Sequence, residues 1–276
     1  DGSNIFSYQL ITWSNTQLDN PSYFSIADLD NDGDDDFAIV ASAASTRPKG
    51  IFWIRNEGAG TFSSPIAIQS GLNYMGEVVT YDFDGDGNID IVVADGPFGS
   101  AGLRLIKNNG GGSFTTSSPL SFKAETIKLG DIDSDGLMDF VVRNDDDNDI
   151  VWMKNDGGFT FADSTIVMSE ARDVEFSICD EGNDGVTDIF FYTNYFGFTN
   201  TTNFTVGLLT NDGSENFTLT YYLTTQTNMN SGMAMDLEMD GDVDFILAYD
   251  YADKISIFEN LDVDLLDPVI ITWPTA

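Results

Sequence analysis

The sequence predicts an all-β protein assembled from repeated four-stranded antiparallel units, and three observations carry that expectation. An acidic pattern recurs five times at nearly constant spacing. Each copy is flanked by short runs rich in β-branched and aromatic residues. A second shared run, ending in Asn-x-Gly in four of its five copies, follows each acidic copy downstream.

The acidic copies are DLDNDGDDDFAIV from Asp28, DFDGDGNIDIVV from Asp82, DIDSDGLMDFVV from Asp131, DEGNDGVTDIFF from Asp180 and DLEMDGDVDFIL from Asp236, their starts 54, 49, 49 and 56 residues apart. The runs on either side, such as 77–81 and 91–93, are too short for helices and read as strands around a tight turn. The downstream runs are GIFWIRNEG, LRLIKNNG, IVWMKNDG, VGLLTNDG and ISIFENLD. Each alternates as a strand does and ends at Asn56, Asn108, Asn155, Asn211 or Asn260, with hairpin-turn chemistry after the first four. A fourth strand opens with Phe62, Phe114, Phe161 or Phe217. Four antiparallel strands in about 52 residues make one propeller blade. Five blades in a single domain spanning residues 1–276 are expected. Residues 4–11 repeat the fourth-strand pattern and close the ring in this reading. Residues 269–273 compete for the same slot, and 261–276 are either an extra strand or a linker.

In the pattern D-x-D-x-D-G-x-x-D, carboxylates at positions 1, 3, 5 and 9 converge when the loop curls, and Gly at position 6 permits the turn. The carbonyl of position 7 completes a hard-oxygen shell suited to Ca²⁺. The expected side-chain ligands are Asp28, Asp30, Asp32 and Asp36; Asp82, Asp84, Asp86 and Asp90; Asp131, Asp133, Asp135 and Asp139; and Asp236, Glu238, Asp240 and Asp244. The fourth loop offers Asp180, Asp184 and Asp188, with Gly182 at position 3, and is expected to be the weakest of about five structural sites. Carbonyls at Asp34, Asn88, Leu137, Val186 and Asp242 complete the sets. An EF-hand is excluded, because the last acid falls at position 9 and a strand, not a helix, follows.

Composition narrows the chemistry. The chain carries 46 acidic and 11 basic residues, a net charge of -35, and no histidine. A hydrophobic fraction of 42% excludes a disordered acidic tail. The charge excludes nucleic acid and anionic membranes as partners, and no apolar run suggests membrane insertion. Without histidine there is no Ser-His-Asp or Cys-His arrangement and no histidine metal site. Cys179 is the single cysteine, so no internal disulfide forms. Trp53 and Trp152 share a strand position with Leu105, Leu208 and Ile257 and are expected in the core.

Acidic loops set between two strands and repeated along the chain resemble the FG-GAP/VCBS repeat family, which includes integrin α-subunit heads and some fungal and bacterial lectins. The resemblance runs from about Phe6 to Asn260. It implies a β-propeller with structural Ca²⁺ on the first hairpin of each blade. Two departures stand out: many relatives have seven blades against five here, and the Gly-Ala-Pro signature is reduced to forms such as Gly60-Thr61-Phe62-Ser63-Ser64-Pro65.

On such a scaffold the loops opposite the acidic turns vary and are expected to bind ligand. Tyr195, Phe196, Phe198, Tyr249 and Tyr251 form the candidate patch, aromatics that suit the apolar faces of sugar rings. The preferred reading is a secreted, calcium-stabilised, non-enzymatic module that binds a glycan or a cell-surface protein. A polysaccharide-cleaving enzyme using a carboxylate pair, and a structural segment of a larger surface protein, stay open as alternatives.

Overall fold

Every described strand belongs to a small antiparallel hairpin array, and the arrays follow the repeat. A computed structural model describes residues 10, 18–42, 49–72, 76–95, 102–117, 120, 124–144, 149–161, 165–169, 174–193, 204–225, 229–240, 242–249, 254–260 and 269–272. The chain falls into two compact units, Asp1–Glu125 and Thr126–Ala276. Among the described residues there is no helix, and hence none long and apolar enough to cross a membrane.

In the first unit, β1 (Asp19–Ala27), β2 (Asp36–Ser42), β3 (Lys49–Ile54) and β4 (Ile66–Leu72) form one sheet, ordered as in the chain. β5 (Val78–Tyr81), β6 (Asp90–Ala94), β7 (Leu103–Asn108) and β8 (Phe114–Thr116) form the next. In the second unit, β9 (Ala124–Gly130), β10 (Asp139–Asn144) and β11 (Asp149–Met153) are followed by a local hairpin, β12 (Asn155–Gly157) and β13 (Thr160–Phe161), before β14 (Thr165–Met168) completes the sheet. Two further sheets comprise β15 (Val174–Cys179), β16 (Asp188–Thr193), β17 (Phe204–Asn211) and β18 (Phe217–Thr225), then β19 (Met229–Met235), β20 (Asp244–Tyr249), β21 (Lys254–Phe258) and β22 (Val269–Thr272). The all-β expectation of four-stranded, blade-like sheets therefore holds, one sheet to each acidic repeat.

Two details differ from the sequence reading. Phe62, Phe114, Phe161 and Phe217 all pair with the Asn six residues earlier, but only Phe114 and Phe217 open the outer strand. In the first and third sheets the chain leaves the ladder after that bridge and rejoins it at Ile66 or Thr165. The fourth-strand slot of the last sheet is filled from the C-terminus, where Ile257, Ser256, Ile255 and Lys254 pair with 269–272. Of the competing N-terminal segment, 4–9 and 11 lie outside the described residues.

The second strand of the fourth sheet reads as a continuous apolar run because that sheet is packed on both faces and has no wet side. In β16, Ile189 and Phe191 join Val141, Trp152 and Phe176 in one core. Phe190 and Tyr192, on the opposite side, join Leu208, Phe245 and Leu247 in the next, with Phe190 stacked on Phe245 at 4.7 Å. In the first unit, Val40, Ile51 and Trp53 pack with Val78, Ile91 and Ile106. Phe24 and Ile26 in β1 are 64% and 52% exposed, whereas Val78 and Phe176, at the place of Phe24 in their own repeats, are 4% and 5% exposed.

The first four acidic turns each hold left-handed residues at positions 4 and 6. Position 6 is glycine, with φ of 93°, 86°, 89° and 82° at Gly33, Gly87, Gly136 and Gly185. Position 4 is also left-handed, at Asn31, Gly85, Ser134, Asn183 and Met239. Gly and Asn bear this conformation cheaply, but Met239 (φ 61°) does not, and Met239 is 90% exposed. Replacing Met239 by Gly is expected to raise stability by about 1 kcal/mol. Urea unfolding should show a higher midpoint at unchanged slope; an unchanged or lower midpoint would contradict the strain.

Candidate metal centres

Each acidic loop is held by its own backbone. The position 1 carboxylate accepts N–H bonds from positions 5 and 6: Asp32 and Gly33 donate to Asp28 at 3.1 and 2.9 Å, Asp86 and Gly87 to Asp82 at 3.1 and 2.8 Å, and Asp135 and Gly136 to Asp131 at 3.0 and 2.8 Å. Asp180 accepts the same pair from Asp184 and Gly185, and Asp236 accepts from Asp240. Position 5 then accepts from the position 7 N–H, at 2.9–3.3 Å in all five loops. These bonds draw carboxylates together that would otherwise repel.

Position 9 is the deepest group. Asp36, Asp90, Asp139, Asp188 and Asp244 are all buried, and each uses its two oxygens to join distant backbone. Oδ2 accepts from the position 2 N–H: Leu29, Phe83, Ile132, Glu181 or Leu237, at 2.7–3.2 Å. Oδ1 accepts from the N–H of Asn56, Asn108, Asn155, Asn211 or Asn260, at 2.7–2.9 Å. Trp53 and Trp152 are core residues as expected, and their indole N–H groups also donate to Asp36 and Asp139 at 2.9 Å.

The Asn side chains extend the clasp. Their Oδ1 accepts from the Gly two residues on, at 2.9–3.1 Å. Two of their Nδ2 groups reach the preceding sheet, that of Asn108 to the Leu29 carbonyl at 2.8 Å and that of Asn211 to the Ile132 carbonyl at 2.6 Å. Asn260 departs from this and donates to the Glu181 side chain at 2.9 Å. The sequence pattern marks these asparagines as turn residues and misses the clasp. Its signal is the invariable pairing, within this one chain, of an Asp at position 9 with an Asn 16–23 residues later.

Side chains at positions 1, 3 and 5 come together in the first two loops, Asp28 with Asp30 and Asp32, and Asp82 with Asp84 and Asp86. In the third loop Asp131, Asp133 and Asp139 converge. In each group the oxygens lie within 4.8 Å of one another. Among the described residues no such group forms in the fourth or fifth loop, where Gly182 replaces the position 3 acid and Gly241 is not described. Asp30 Oδ1 and Asp133 Oδ1 are buried without a hydrogen-bond partner. Two orphaned carboxylate oxygens inside all-oxygen clusters are what a hard cation requires, so these residues fit Ca²⁺.

Three matches of the FG-GAP-like repeat model cover residues 28–93, 82–130 and 131–191, more than half of the 276 residues. The chain belongs to the FG-GAP-like repeat family. The matched FG-GAP-like repeats take in the first four acidic loops. No curated protein matches the chain. Among solved structures it is similar to part of a Tc holotoxin pore from Photorhabdus luminescens, at 15% identity and a TM-score of 0.44, over 91% of this chain. It spans 11% of that structure's chain.

Of the candidate ligand patch, Tyr195, Phe196, Phe198 and Tyr251 lie outside the described residues. Tyr249 is half-buried beside the last core, with the Lys254 ammonium 4.0 Å above its ring. Burial, with Asp188 and Glu181 nearby, pushes the thiol of the half-buried Cys179 up to about 12, which disfavours the reactive thiolate.

Burial pushes the Asp90 and Asp139 carboxyls up to about 6, against the lowering effect of their N–H bonds. Between the ordinary carboxyl range and 6 the folded chain holds these protons and the unfolded chain does not. Their contribution to the stability of the calcium-free protein therefore falls as pH rises from about 4 to about 6. Asp90→Ala, which strands two buried N–H groups, should cost about 3 kcal/mol. Asp90→Asn should cost less and flatten the Asp90 share of the slope. Urea unfolding in chelator at several pH values checks all three; an Ala variant as stable as wild type would refute the clasp.

Proposed function

We propose that the chain is a calcium-stabilised binding module of an extracellular or cell-surface protein, on a five-bladed propeller scaffold, with Ca²⁺ in the acidic loops. The convergence of Asp28 with Asp30 and Asp32, and its repetition in the next two loops, carries the calcium reading. The family supports it, since FG-GAP repeats often bind Ca²⁺. Asp30 and Asp133, each with a buried oxygen that lacks a hydrogen-bond partner, are the side chains best placed to hold the ion. When bound, it supplies fixed positive charge and cross-links the first hairpin of a sheet. Five ions would bring the net charge from -35 to about -25.

The binding role rests on the scaffold. Rigid sheets with a second set of loops of irregular length are a platform for recognition, and the aromatic residues 195, 196, 198, 249 and 251 suit a glycan or a protein surface. Secretion accords with millimolar calcium acting as the staple in a chain without disulfides.

A ligand that binds only the folded state stabilises it by RT ln(1 + [L]/Kd) for each site. Adding millimolar Ca²⁺ to chelated protein is therefore expected to raise the melting temperature by several degrees, with Mg²⁺ less effective; an unchanged melt defeats the calcium reading. A glycan array in Ca²⁺ tests the ligand class. Silence across acidic, neutral and amino sugars would turn the binding role to protein partners.

A further inference from the structure

The second and third acidic loops carry a cation of their own. Lys107, which precedes Asn108 in β7, reaches back to Asp84 and Asp86, positions 3 and 5 of the second loop, and lies 3.0 Å from the Asp86 carboxylate. Lys154, which precedes Asn155, binds Asp133 and Asp135 in the same way, again at 3.0 Å from position 5. The Asp84 and Asp133 side chains are only 6% and 7% exposed, while the lysines keep 32% and 31% of their side chains in solvent, so the carboxylate of each pair is the desolvated partner. In the first repeat the matching residue is Arg55, which turns to Glu57 at 2.7 Å and stays 3.9 Å from Asp30. The fourth and fifth repeats have Thr210 and Glu259 there, with no positive charge.

Asp133 carries a second sign. Its Oδ2 takes the Lys154 ammonium, while its Oδ1 is buried without a partner in the cluster it forms with Asp131 and Asp139. The lysine meets only part of the demand of that cluster for positive charge.

We infer that Lys107 and Lys154 are built-in counter-cations that hold the second and third loops when Ca²⁺ is absent and are displaced when it binds. This rests on the calcium reading above and adds a ranking of the sites. An ammonium and a divalent ion cannot share the carboxylates of positions 3 and 5 without strong repulsion, so calcium must remove the lysine or accept a penalty. The first loop has no close ammonium and an unpaired Asp30 oxygen, and therefore fills before the second and third. The result is a chain that keeps two loops formed at low calcium and tightens in steps as calcium rises.

The test uses the full chain at physiological salt, where charges more than about 8 Å apart are largely screened. Calcium binding is measured by calorimetry and by competition with a chromogenic chelator for wild type, Lys107→Met, Lys154→Met and the double variant. Lys254→Met, which removes the same charge from above Tyr249, is the control. Each loop variant should tighten one site by about tenfold. The double variant should tighten two and melt below wild type in chelator, while the control leaves binding unchanged. Loop variants that bind no more tightly than wild type overturn the latch alone, as does an equal gain in the control, which would reduce the effect to net charge. Absence of calcium binding by every protein overturns the latch together with the calcium reading.

Discussion

The buried carboxylate at loop position 9 is the constraint on which each sheet depends. Its two oxygens face opposite ways along the chain, one to the start of the acidic turn and one to the end of the third strand. Asp90, for instance, joins the N–H of Phe83 to that of Asn108. Two backbone donors that would otherwise be buried and unpaired are met by one anion, and a β-turn, a strand and a second turn are locked into one register. The asparagine fixed in this way then presents its side-chain amide to the neighbouring sheet. Packing between Leu29 and the second sheet, or between Ile132 and the fourth, thus inherits its alignment from a carboxylate several ångströms away. The acidic loop is part of the frame of the sheet and not an appendage to it.

Most of the architecture was legible because the chain repeats itself. Five acidic loops, three of them full copies of D-x-D-x-D-G, and five strand-terminal asparagines locate the hairpins, and the apolar runs after the loops, such as 91–94, mark buried strands. What local pattern could not disclose was partnership over distance. Asn108 and Leu29 are 79 residues apart, and nothing near Asn108 distinguishes a turn asparagine from one that spans two sheets. The left-handed position 4 was hidden for a different reason. Asn31, Gly85, Ser134 and Asn183 are all ordinary turn residues, and Met239, which is not, occupies the same conformation because the surrounding loop imposes it. The aspartates of the first three loops were identified as a set from spacing alone. The division of labour within the set needed coordinates: position 9 is turned inward to amides in all three loops, while positions 1, 3 and 5 gather in the first two and positions 1, 3 and 9 in the third.

Scarce positive charge is placed where it matters. With 11 basic residues against 46 acidic ones, a random distribution would leave most cations diffusely solvated. Instead Lys107 and Lys154 sit on the acidic turns, Arg104 meets the buried Asp95 at 2.5 Å, and Arg143 joins Glu175 and the Val174 carbonyl. These pairs lie in or beside the sheets, whereas the surplus of acid faces solvent on loops such as Asp32–Asp35. Electrostatic stabilisation is local in this chain, and long-range repulsion is the background against which it acts.

The exposed apolar surface of β1 gives that background a use. Phe24 and Ile26 stand in solvent, whereas Val78 and Phe176, at the place of Phe24 in their own repeats, are covered, and exposed apolar side chains of this kind favour self-association. A uniformly negative chain holds copies of itself apart, so colloidal stability, not fold stability, decides whether that surface meets another. Acidification toward the pI of about 4.1, or salt high enough to collapse the ionic atmosphere, weakens that repulsion. The same charge that complicates folding is what keeps an exposed phenylalanine harmless.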